Sequence, residues 1–206
     1  ALYWIGARSA KTRKVSMVRF LFPREVWLHP SALLDLRFVI VDTFVFALLV
    51  APFALSTVAT AETVNAGLTA MLGPGDAAQP GFLAIAIFSV ALFLIGDLFR
   101  FIWHFSLHRF PWLWAFHKVH HSANVLVPMT VARLHPLERF GFLMAEGLAT
   151  GLTAGVFLYF YHSEFAALSV LGVQAGRFVF NLAGANLRHS HIWWSWGPVV
   201  ETILIS

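Results

Sequence analysis

A chain of 206 residues that is 59% hydrophobic and only 12% charged, with a mean hydropathy of +0.74, is too apolar for a water-soluble domain and belongs in a membrane. Its net charge of +4 points away from nucleic acid and toward an uneven spread of lysine and arginine about a bilayer. With no cysteine it has no disulfides and cannot build a thiolate zinc or iron–sulfur site, and its redox compartment stays open.

Residues 1–37 hold seven of the fourteen basic residues: Arg8, Lys11, Arg13, Lys14, Arg19, Arg24 and Arg37. The sequence opens at Ala1, and no charged leader with a short apolar run and cleavage site follows, so no signal peptide is expected, and preceding chain is left open. Apolar residues interleave with the charges at Met17–Phe22 and Val26–Leu28. That pattern fits an amphipathic segment at headgroup level, with a solvated basic linker as the alternative.

Phe38 to about Thr60 is almost wholly apolar, long enough at ~1.5 Å per residue to cross a core of ~30 Å, and reads as the first span. Residues 61–81, with Glu62, Asp76 and the Gly-Pro-Gly at 73–75 but no lysine or arginine, read as a polar loop away from the cytoplasm. Phe82 to about Trp103 is the second span and returns Arg100 and His104 to the starting side. Residues 104–139 are dense in charge and histidine, which predicts a cap of short helices at the membrane surface, with Pro111 starting or breaking one.

Phe140 to about Tyr161 and Phe165 to about Leu187 are the third and fourth spans, a helical hairpin turned by His162-Ser163-Glu164. Gly147, Gly151 and Gly155 in one, and Gly172 and Gly176 in the other, predict close backbone approach. Arg188 brings the chain back to the cytoplasmic side. Residues 188–206 then open a second part of the cap. The expectation is one all-α integral membrane domain: a basic segment (1–37), a hairpin (38–103), a histidine-rich cap (104–139) and a second hairpin (140–187).

Four ionisable residues fall inside apolar stretches: Asp42, Asp97, Glu146 and Arg177. Such groups face a partner, a bundle interior or water. Asp97 is expected to pair with Arg100 at the surface, and Glu146 with Arg177 across the second hairpin is the other pairing considered.

Five of the ten histidines fall between residues 104 and 121. His104 and His108 are spaced i, i+4, and His117, His120 and His121 are spaced i, i+3, i+4, so on helices each set projects from one face. Two helices can aim five imidazoles at one point. Neutral imidazole suits iron, zinc, copper or nickel, and the pattern predicts a metal centre of nitrogen ligands rather than a run of interfacial histidines.

The runs His104-Phe-Ser-Leu-His108 and His117-Lys-Val-His120-His121 resemble the HxxxH and HxxHH boxes of the fatty acid hydroxylase and sterol desaturase superfamily. Arg133-Leu-His135-Pro136-Leu137-Glu138 resembles its RxHPLE element, and Asn186-Leu-Arg-His189-Ser-His191 its later histidine ahead of a Trp-Gly-Pro stretch. The resemblance runs from about Leu21 to the end. It implies a membrane-bound non-haem di-iron oxygenase with eight or more histidine ligands, which uses dioxygen and electrons from an external donor protein to hydroxylate or desaturate a membrane lipid. By carry-over the metal ligands are His104, His108, His117, His120, His121 and His189, with His135 a weaker one that holds the cap through Glu138 or positions a ligand instead. Zinc is an alternative occupant, because the ligand set alone does not enforce iron.

His191 lies two residues past His189 and so points to a different face, beside a ligand or at the surface. His29, in Leu28-His29-Pro30-Ser31, has no evident partner and reads as an interfacial histidine. His162 lies on the opposite face, remote from the metals. The final HxxHH box expected after the Trp-Gly-Pro-Val-Val-Glu run at 196–201 is not among these residues, and the expectation is that the chain continues beyond Ser206.

The second reading is an accessory subunit that keeps the fold without the chemistry, in contact with a membrane-protein partner or a second copy. A haem protein is the third; histidines gathered at one surface, rather than set in facing spans, argue against it. The expected location is a bacterial inner membrane with the histidines on the cytoplasmic side.

Overall fold

The computed structural model describes residues 16–50, 57–75 and 79–161. Among these residues the chain is helical, with no strand. Two short helices, α1 (Met17–Leu21) and α2 (Arg24–Trp27), lead into α3 (Pro30–Val45), which runs on as a π turn at Phe46–Val50. Then come α4 (Thr57–Leu72), α5 (Phe82–Arg109), α6 (Pro111–His117), two 3-10 turns (His120–Ser122 and Pro128–Ala132) and α7 (Pro136–Tyr161).

Proline sets three of the starts. Pro30, Pro111 and Pro136 occupy the first position of their helices, where the missing N–H is not needed and the fixed φ suits the helix. Before two of them a histidine is the cap. His29 Nδ1 accepts from Ser31 N–H at 3.1 Å, and His135 Nδ1 accepts from Leu137 N–H at 3.2 Å. His29 therefore has a partner, the first turn of α3, which its sequence neighbours did not reveal.

The polar loop expected over 61–81 is helical as far as Leu72. Glu62 is the lone charge in α4, and the threonines do not break the helix because their hydroxyls bond back to it. Thr63 Oγ1 donates to Ala59 O at 2.7 Å, and Thr69 Oγ1 to Asn65 O at 2.8 Å. The stop comes at Gly73, whose φ of 87° is the left-handed cap that glycine tolerates, followed at once by Pro74. Only the end of the expected loop is a turn. Of the expected first span, α3 and the π turn cover the part to Val50, and α4 opens at Thr57.

Helix α7 is the axis. Helix α5 runs antiparallel along it: Trp103 Nε1 donates to Glu138 O at 3.1 Å, Arg100 pairs with Glu146 at 3.4 Å, and the Phe88 and Phe157 rings lie 4.5 Å apart. On another side α4 packs against the glycine stripe. A Cβ at Gly151 would lie 2.5 Å from Thr60, and one at Gly155 2.5 Å from Val64, so only glycine admits this approach. The stripe thus serves α4; the fourth span expected to share it, with Gly172 and Gly176, lies outside the described residues. Ala61, Phe88, Leu92, Ala154 and Phe157 fill the core where the three helices meet.

Helix α3 lies against the other end of α7. Asp42, buried, pairs with Arg139, whose guanidinium also sits 4.4 Å over the Phe46 ring. The α3 start and the histidine-bearing end of α5 therefore share one end of the bundle, and the Gly73-Pro74-Gly75 turn lies at the other, where Gly75 touches Tyr159.

One charge pairing differs from expectation. Arg100 takes Glu146 from α7, not Asp97, because Arg100 faces the helix contact and Asp97 is exposed on the outer face. Glu146 accordingly has a partner on α5, and Arg177 lies outside the described residues.

Two helices, α5 with 28 residues and α7 with 26, are long and apolar enough to cross a membrane. Leu83, Ile87, Val90, Leu94, Leu98 and Phe105 of α5 are exposed. A helix this apolar on its open side needs lipid or further helices around it.

Candidate metal centre

The site is built from the last turns of α5, the end of α6 and the turn that follows. Along α5 the i, i+4 spacing sets His104 and His108 on one face, with Nε2 atoms 3.2 Å apart. Pro111 then starts α6 across the chain reversal, and its seventh residue, His117, turns back so that its Nε2 lies 3.1 Å from His108 Nε2. The α-helix ends there. His120 and His121 sit on a 3-10 turn, not on the continuous helix their spacing predicts, yet His121 Nε2 still reaches 3.0 Å from His117 Nε2. The His120 ring stacks 5.5 Å from that of His117.

Four ring nitrogens thus form a chain of contacts, His104 to His108 to His117 to His121. Protons cannot satisfy them all. Each Nε2 carries either one N–H or one lone pair in the ring plane, so the two central nitrogens cannot each serve two neighbours linearly. A cation accepting lone pairs from His104, His108 and His117 satisfies those three together. The spacings agree: bonds of ~2.1 Å put ligand nitrogens about 3.0 Å apart at right angles and about 3.4 Å at the tetrahedral angle. Ligand atoms of His104, His108 and His117 all lie within 4.8 Å of one another. On this observation the residues fit a metal.

The rings are held from outside. His117 is 0% exposed, and so is nearly all of Glu138, at 1%; His117 Nδ1 lies 2.8 Å from Glu138 Oε1. With Nε2 given to a cation, the ring proton sits on Nδ1 and Glu138 accepts it, which fixes the tautomer and the ring plane. Burial, reinforced by the neighbouring imidazoles with His104 first, pushes the His117 pKa down to about 3. Its ring is therefore neutral at pH 7, the form that binds metal. Trp114 packs over the rings of His108, His121 and His117, at 5.5, 5.4 and 5.8 Å. An open groove of about 360 Å³ lined by His108, Arg109, Pro111 and Trp114 leads to them.

Holding the cap through Glu138 is one of two supporting roles open to His135; the Glu138 side chain meets the His117 ring. His135 caps α7 through Nδ1 and rests 4.8 Å from the Phe116 ring, with no ring contact to the cluster among the described residues. His189, His191 and His162 lie outside those residues. Three supporting residues gave no signal in the sequence. Asp35, buried against Arg133, precedes the apolar stretch and so carries no apparent cost. Trp103 reaches Glu138 O, and Gly141 makes room for it: a Cβ there would lie 2.0 Å from the indole.

A family model described as fatty acid hydroxylase matches residues 89–203. The chain belongs to the fatty acid hydroxylase family. No curated protein and no solved structure matches it. The matched region takes in the histidine-bearing end of α5, α6, both 3-10 turns and all of α7. The family binds iron through histidines, and this fatty acid hydroxylase family member presents a histidine cluster in that region.

Proposed function

We propose that the chain is a membrane-bound non-haem di-iron oxygenase that hydroxylates or desaturates a lipid of sterol, fatty acyl, ether-lipid or carotenoid-like kind. Dioxygen is the cosubstrate, and electrons come from an external donor protein. The observation that carries the reading is the convergence of the His104, His108, His117 and His121 Nε2 atoms at 3.0–3.2 Å steps. His120 stands beside them, and His189 is the further ligand expected from the later motif. His135 remains a ligand only if it gives up its cap.

Iron held by neutral imidazoles with open positions supplies the binding and reduction of dioxygen and the oxidation of an unactivated C–H bond. The chain's own residues do the rest. Glu138 holds the Nδ1 proton of His117 and so keeps the ring aimed. Trp114 packs against three of the rings and helps hold them in place. The exposed Leu94, Leu98 and Phe105 of α5 give an apolar substrate a path along the helix to the groove beside His108. Lysine and arginine density in 1–37 and at Arg109 and Lys118 supports a cytoplasmic position for this end.

Elemental analysis of the full-length protein, followed by lipid turnover under oxygen with a reductant, tests the reading. About two iron or zinc ions per chain, as a dinuclear oxidase requires, together with an oxidised lipid is the expected result. Absence of bound metal overturns it in favour of an accessory subunit.

A further inference from the structure

The turn His120–Ser122 is three residues long and has no buried residue, so no core of its own fixes it. Its attachment is polar. Ser122 Oγ donates to Val119 O at 2.7 Å and accepts from Arg133 Nη1 at 3.2 Å. Arg133 is 1% exposed and directs its other donors to α3. Nε donates to Asp35, while Nη2 donates to the Ser31 carbonyl at 2.7 Å and its hydroxyl at 2.9 Å. Asp35, 0% exposed, also accepts from Thr130 Oγ1 at 2.7 Å. A planar guanidinium with its donors in a fixed fork transmits position as well as charge.

We propose that Asp35 and Arg133 are positioning residues of the metal centre: through Ser122 they set the turn that brings His121, and His120 beside it, to the His104–His108–His117 group. The inference rests on the metal-centre reading above. Neither residue contacts the clustered rings, and both act through the turn. Breaking the buried pair leaves a charge without a partner and destabilises the fold. Asp35→Asn and Arg133→Lys therefore report on folding and site together. Ser122→Ala separates the two, because Ser122 is exposed and its loss leaves the Asp35–Arg133 pair in place.

The test is a cobalt(II) titration of the full-length protein in detergent, reading affinity and the visible spectrum of the imidazole-bound ion beside thermal melting. Ser122→Ala is expected to melt like the wild type while binding cobalt about tenfold more weakly, the usual effect of losing a group behind the ligands, with a changed spectrum. Arg133→Lys should lose more. Asp42→Asn, which breaks the other α3 ion pair without touching the turn, should melt lower yet keep the wild-type affinity and spectrum. Wild-type cobalt binding in both Ser122→Ala and Arg133→Lys, or an equal loss in Asp42→Asn and Ser122→Ala, overturns the positioning role. A wild-type chain that takes up no cobalt overturns instead the metal-centre reading beneath it.

Discussion

His117 Nδ1 and Glu138 Oε1 lie 2.8 Å apart across twenty-one residues of sequence, and the other carboxylate oxygen, Oε2, is buried with no hydrogen-bond partner among the described residues. Glu138 is thus committed to one ring. The contact joins the end of α6 to the first turn of α7, so the site's ring orientation depends on how those helices pack. Trp103, one residue before His104, fastens the same turn by donating to the Glu138 carbonyl.

Removing that carboxylate should weaken the site while the bundle persists. Glu138→Gln keeps a weaker acceptor for the Nδ1 proton, and Glu138→Leu removes it. Metal affinity, measured by competition with a chelator, should fall about tenfold in the first and toward a hundredfold in the second. Equal affinity in all three proteins would remove Glu138 from the site.

The glycine stripe of α7 gives a contrast within one fold. Gly155→Leu drives a side chain into Val64 and the Ala61 carbonyl and should cost about 1–3 kcal/mol, as overpacking does. Gly67→Leu on α4, where nothing lies within 4 Å, should leave melting unchanged or slightly raised. Equal melting of the two variants in detergent would mean that α4 does not pack on this stripe.

Arg100 and Glu146 form a pair that is 43% and 24% exposed, within helices that carry few other charges. Arg100→Gln or Glu146→Gln alone ends the pair, so the second substitution removes nothing further from it. A double-mutant cycle should therefore show a coupling of about 1 kcal/mol for a partly exposed pair. Additive losses in a double-mutant cycle would show that the pair is not formed.

Orientation follows from the two ends of the bundle. A reporter placed at the Gly73-Pro74-Gly75 turn should be labelled from the side of the membrane opposite to one placed just before His29. Labelling from the same side would mean that α5 does not cross.

Local rules reached much of this from the residues. Composition and apolar runs gave a helical chain and located α5 and α7 to within a few residues, because burial in lipid demands length and hydrophobicity that sequence displays directly. The Phe38–Thr60 stretch and the loop after it were harder. The threonines and Asn65 around Glu62 look polar in isolation, yet the stretch forms α4 because the threonine hydroxyls fold back onto the helix and the α7 glycines receive it. Charge pairing was harder still: Asp97 sits nearest Arg100 in sequence, and the partner chosen came from another helix.

By itself, the sequence determined which histidines would share a face, since i, i+4 on α5 is a property of the helix alone. Only the tertiary structure decided which ring meets which support. The carboxylate of Glu138 lies three residues from His135 in sequence, but the first turn of α7 carries it to His117. An imidazole's tautomer is fixed by whatever group stands at its second nitrogen, and that neighbour is set by helix packing rather than by distance along the chain.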